Sequence, residues 1–92
     1  MKLRDYEAFV LERAKQPIDD IGYNVIGLCG EAGEVAEWVK KRCYRRNDAY
    51  TDDMLLLELG DVQHYLTRIA LQKGWTIKDI MKANVKKLKE RG

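Results

Sequence analysis

Apolar positions recur at helical spacing in four stretches of the chain. Leu3, Tyr6, Val10 and Ala14 fall on one face of a first helix, which Pro17 closes. Asp19 or Asp20 can cap a second helix, on which Ile21, Val25, Leu28, Ala32, Val35 and Val39 alternate steps of four and three, the stripe of a helix facing a bundle interior. Residues 44–53, YRRNDAYTDD, interrupt the pattern and read as a loop in which Thr51, Asp52 or Asp53 can cap the next element. A third helix over about 54–73 places Leu55, Leu59, Val62, Leu66 and Ile69 on one stripe, with Gly74 as its C-terminal cap. Thr76 opens the fourth, where Ile77, Ile80, Met81, Asn84 and Leu88 share a face and basic residues crowd the last turns, favoured there by the helix dipole. Short connections between four helices predict an all-α bundle, with any chemistry held between its two long central helices.

Size sharpens this picture. Ninety-two residues at 10.7 kDa read as a single domain over 1–92. A chain this short buries only about 60–65% of its unfolded surface, so self-association is expected. A single proline argues against a turn-rich all-β fold, and no apolar run approaches the ~18 residues of a membrane span. Charges at positions 2, 4, 5 and 7 occupy the place where a signal peptide needs an apolar stretch. Cys29 and Cys43, fourteen residues apart on one helix, are separated by roughly 21 Å, beyond the ~7 Å reach of a disulfide. Free thiols and a charged N-terminus together predict a cytoplasmic location. The net charge of +2 neither demands a polyanionic partner nor excludes one.

Acidic pairs carry the chemistry. Glu31 and Glu34 lie 60° apart on the helical wheel and border the apolar stripe of the second helix. Glu58 and Asp61 repeat the spacing at the stripe edge of the third. One such pair is common on a solvated face, but two at matching edges bring four carboxylates to one rim, where repulsion and desolvation are costly unless a cation neutralises them. An all-oxygen donor set points to Mg²⁺ or Mn²⁺ rather than zinc. Setting these four aside, seventeen basic residues face eleven acidic ones, so the remaining surface attracts phosphates.

The constellation E31-x-x-E34, twenty-three residues, then E58-x-x-D61 resembles the all-α nucleotide pyrophosphohydrolases of the MazG type. So do the surrounding blocks GLCGEAGEVAEWVKK at 27–41, ELGDVQHYL at 58–66 and NVKKLKER at 84–91. The resemblance implies a four-helix bundle completed by homo-oligomerisation. It also implies Mg²⁺-dependent hydrolysis of a nucleoside triphosphate between the α and β phosphates, with Glu31, Glu34, Glu58 and Asp61 as metal ligands. Mg²⁺ chemistry at phosphorus is mainly positioning and charge neutralisation, and needs no Ser, Cys or His nucleophile. Glu34 and Glu58 are the candidates for activating the attacking water.

Trp38 and Lys41 follow Glu34 at +4 and +7, suited to stacking on a base and binding a phosphate; core packing and a solvated lysine are the plain alternatives. Asn84 sits within an apolar stripe and shares its face with Lys87 and Arg91; in the resembled family this block contributes to substrate binding, while a dipole-complementing basic turn is the plain alternative. Gly27, Gly30 and Gly33, costly inside a helix, suggest close approach of another helix or a ligand. His64 after Asp61 is reminiscent of di-iron bundles, but no second such motif exists and it reads as a surface histidine. A dimer or tetramer is expected, with helix-four residues serving a partner's site. Narrower activities of the same fold, on phosphoribosyl-ATP or on dUTP and dCTP, are alternatives. From other classes, a basic helical nucleic-acid-binding module predicts steep salt dependence and indifference to Glu58, and a purely structural bundle leaves the paired acids unexplained.

Overall fold

The computed structural model describes residues 1–14 and 17–92, and among these it contains helices and no strand. The four helices are α1 (Leu3–Arg13), α2 (Ile21–Val39), α3 (Asp52–Gln72) and α4 (Ile77–Glu90). Caps fall where the polar residues allow. Asp20 accepts from the Tyr23 N–H at 3.0 Å to start α2, and Thr51 from the Met54 N–H at 3.3 Å to start α3. At α4, Thr76 and Asp79 exchange side-chain to backbone hydrogen bonds in a reciprocal box, and Glu7 of α1 accepts the Ile77 N–H at 2.7 Å. Gly74, at φ 79, ends α3: its own N–H returns to the Leu71 carbonyl and that of Trp75 to Ala70, the Schellman arrangement.

The end of α2 departs from the expected pattern. Residues Lys40–Tyr44 continue it as a turn of π-helix, with the Arg45 N–H reaching back to the Lys40 carbonyl. Cys43 lies in this turn and Cys29 in α2; both are exposed free thiols.

α2 and α3 pack antiparallel as the main layer, while α1 lies across α3 and the start of α4. The stripe expected to line the core is only partly enclosed: Ile21 and Val25 are each 42% exposed. The α2–α3 seam instead carries Asn24, Gly27, Glu31 and Trp38. Polar partners make that possible. The buried Arg68 donates from Nε to the Asn24 Oδ1 at 2.6 Å, and the Asn24 amide donates to the Ile18 carbonyl at 2.8 Å, pinning the 17–20 turn to both helices. Arg68 also lies over the Tyr23 ring at 5.3 Å. Val10, Thr67, Ala70 and Ile77 form a small core under α1. The radius of gyration, 15.3 Å, exceeds the ~12 Å of a compact chain of this length, because α4 leans on its neighbours mainly at its start.

Candidate metal centre

One turn past Gly27, the seam changes from neutral to acidic. Glu31 projects from α2, and Glu58 and Asp61, one turn apart, project from α3. One carboxylate oxygen from each lies within 4.8 Å of those of the other two, with Glu31 and Glu58 half-buried and Asp61 exposed. Partial burial pushes the Glu31 pKa upward, and the charges of Asp61, Glu58 and Glu34 push it the same way. Glu31 therefore resists ionisation when the site is bare. Three hard oxygen donors and three negative charges fit a divalent cation that retains waters.

Glu34 is exposed and stands outside this trio, although its charge is felt at Glu31. The cause is helical geometry: the α2–α3 contact selects Glu31, and Glu34, 60° further round, turns to solvent.

The positions expected to bind substrate are placed differently from one another. Trp38 is 8% exposed and donates its indole N–H to the Thr51 carbonyl at 2.8 Å, so it packs α2 against the start of α3 and offers no open ring face to a base. Lys41 pairs with Glu37 at 3.5 Å, across one turn. Asn84, Lys87 and Arg91 are exposed along α4, which packs against α1 and α3 and makes no packing contact with α2. Exposure removes the expected burial of the Asn84 amide. Gly27 meets the expectation of close approach: a methyl there would overlap the Tyr65 ring, whereas one at Gly30 or Gly33 would meet nothing within 4 Å.

An aromatic cavity adjoining the acids was not anticipated. It measures about 560 Å³, and its lining includes Tyr6, Phe9 and Arg13 of α1 and Asp61, His64 and Tyr65 of α3, with Glu31 on its wall. Tyr6 stacks on Phe9 with ring centroids 6.4 Å apart, and the Arg13 guanidinium lies 5.8 Å from the Phe9 centroid. His64 meets Tyr65 edge to face at 5.3 Å. Burial and the charges of Arg68 and Arg13 lower the His64 pKa against the opposing pull of Asp61, favouring neutral imidazole. Phe9 and Arg13 stand at i+3 and i+7 from Tyr6; the apolar face with Leu3, Val10 and Ala14 includes Tyr6 but neither of these two, because this second face ends in a charge.

Antiparallel central helices holding three carboxylates at one rim define an all-α protein built around a candidate cation site. The chain belongs to the MazG nucleotide pyrophosphohydrolase domain family, whose model matches residues 23–92. Over 77 residues it is 36% identical to the Gene 37 protein of Mycobacterium phage L5, a match covering 80% of this chain and 68% of that one. No solved structure matches the chain. Among the described residues, no helix is long and apolar enough to cross a membrane.

Proposed function

We propose that this protein is a divalent-cation-dependent nucleoside triphosphate pyrophosphohydrolase, using Mg²⁺ with Mn²⁺ as a substitute, that releases a nucleoside monophosphate and pyrophosphate. The observation that carries this reading is the convergence of Glu31, Glu58 and Asp61 within 4.8 Å on the family's acidic motif. These three hold the cation. When bound, it neutralises phosphate charge and acidifies a coordinated water. Glu34, exposed beside the trio but near enough for its charge to be felt at Glu31, is assigned to accept the proton of the water whose oxygen bonds to the α phosphorus as the bond to the β-phosphate oxygen breaks and pyrophosphate departs. Glu58, one of the three cation ligands, is the other candidate for activating that water.

Lys41, Asn84, Lys87 and Arg91 supply donors to the phosphates. Because α4 makes no contact with the helix that carries Glu31, its residues are assigned to a neighbouring copy's acids in a homodimer or homotetramer. The biological role that fits is cytoplasmic removal of surplus or unwanted nucleotides.

The test is turnover of a full panel of ribo- and deoxyribonucleoside triphosphates with and without Mg²⁺, beside Glu58→Gln, with pyrophosphate separated from orthophosphate. Pyrophosphate release that needs both Mg²⁺ and Glu58 is the expected result. Orthophosphate alone would refute the assigned cleavage position.

A further inference from the structure

We propose that the aromatic cavity between α1 and α3 receives the base of the nucleotide, that Tyr6 and Phe9 stack on it and that Arg13 sets which base is taken; this rests on the reading of the acidic cluster as the phosphate end of the site. Continuity is the first argument. Glu31 and Asp61, two of the three clustered acids, form part of the cavity wall, so a ligand whose phosphates meet a cation there extends its remaining half toward Tyr6, Phe9, His64 and Tyr65. The larger cavity of the chain, about 650 Å³ along the open face of α4, contains none of these acids. Volume is the second. At about 560 Å³ the cavity falls in the range of sites that enclose a small organic ligand.

The chemistry of the walls selects a flat heteroaromatic group. Tyr6 and Phe9 offer stacked rings, and Phe9 is 50% exposed on a helix that has Val10 as its buried contact. Half of the Phe9 ring stays open beside the Arg13 guanidinium, a face on which a planar base can stack. Arg13 can only donate, and although adenine's ring nitrogens also accept, the stronger acceptor for a guanidinium on a base edge is a carbonyl oxygen. Guanine, thymine, uracil and cytosine present one and adenine does not. Neutral His64 adds one donor and one acceptor at the far wall. Trp38, the other aromatic on the acidic side of α2, is closed off by its contact with Thr51, which leaves the α1 face as the stacking surface.

Phe9→Ala and Arg13→Ala test this, with Leu11→Ala, an exposed α1 residue outside the cavity, as control. Both test positions are exposed, so circular dichroism should show unchanged helix content. Steady-state kinetics on the nucleotide panel should show KM raised about tenfold by Phe9→Ala for every substrate, the cost of one lost stacking contact. Arg13→Ala should erase the preference for carbonyl-bearing bases over adenine, and Leu11→Ala should change neither parameter. If wild type turns nucleotides over and Phe9→Ala leaves every KM unchanged, the base site is refuted while the reaction stands. If wild type turns nothing over, calorimetry with a triphosphate carrying a non-hydrolysable α–β link decides separately: binding weakened by Phe9→Ala supports the base site, and binding indifferent to it, or absent, overturns it. A fall in solution mass on Phe9→Ala would overturn it too, by assigning the cavity to a subunit contact.

Discussion

Asn24 and Arg68 lock α2 to α3, the Arg68 Nε–H donating to the Asn24 Oδ1 at 2.6 Å with both side chains buried. Seven residues onward along α2 and seven back along α3, two helical turns on a seam of this kind, stand Glu31 and Asp61. The same register places Gly27 against Tyr65 in between. A neutral amide bound to a buried cation therefore fixes the register that brings the acids together.

Removing the amide tests that lock. Asn24→Ala takes an acceptor from a buried guanidinium and should cost about 1.5–3 kcal/mol of stability, the range for hydrogen bonds to charged groups. Urea unfolding should show a lowered midpoint with an unchanged slope. A loss below about 0.5 kcal/mol would show that the pair does not hold the helices.

Glycines on one helix should respond with opposite signs. Alanine normally improves a helix over glycine by about 1 kcal/mol, and at Gly33 the new methyl meets nothing, so Gly33→Ala should gain up to that amount. At Gly27 the methyl collides with the Tyr65 ring, held in place by Tyr23 and Arg68, and Gly27→Ala should lower the melting temperature by several degrees. A loss at Gly33 instead would locate a partner's helix there.

How far the sequence could be read follows from the same residues. Helix boundaries were accessible because Asp20, Thr51, Thr76 and Gly74 act through local hydrogen bonds that sequence proximity determines. Glu31, Glu58 and Asp61 were accessible from their spacing beside the apolar stripes, but the i, i+3 step from Glu31 did not keep Glu34 in the cluster. Periodicity misassigned the α2 seam: it follows apolar residues, whereas the seam is built from a glycine, an asparagine and a glutamate whose partners are over 25 residues away on α3. The roles of Glu7, which caps α4 from α1, and of Arg13 depend on where α1 docks, and no local pattern states that.

The acidic cluster predicts how pH and metal act together. The folded-state pKa of Glu31 is raised, so between the ordinary glutamate range and that raised value the folded chain binds more protons than the unfolded one. Metal-free stability should accordingly fall as pH rises through this window and stay low above it. Cation binding requires the ionised form, so the gain in melting temperature on adding Mn²⁺ should grow over the same rise. Glu31→Gln should remove the bare cluster's penalty, raising the metal-free melting temperature at pH 7 while abolishing the Mn²⁺ shift. Scanning thermal melts from pH 5 to 8 with and without metal check all three. A Mn²⁺ shift that survives Glu31→Gln would place the cation elsewhere.

Apolar surface makes the last prediction. Ile26 on α2 is 74% exposed, and on α4 Met81, Val85 and Leu88 are each at least half exposed, at 52%, 50% and 55%. Large contiguous patches of this kind are uncommon on monomers, and α4 extends from the rest of the chain with its apolar face open. Sedimentation at micromolar concentration should therefore give at least twice the 10.7 kDa chain mass. Ile26→Lys and Val85→Lys place a charge on each of the two faces in turn. A homodimer has one dominant face, so one substitution should yield monomers and the other should leave the mass unchanged. A homotetramer needs both, so each substitution alone should stop at a dimer and the pair together should reach the monomer. A wild-type mass of one chain would leave Asn84, Lys87 and Arg91 with no neighbouring copy's acids to act on, and the proposed action of α4 across subunits would fail with it.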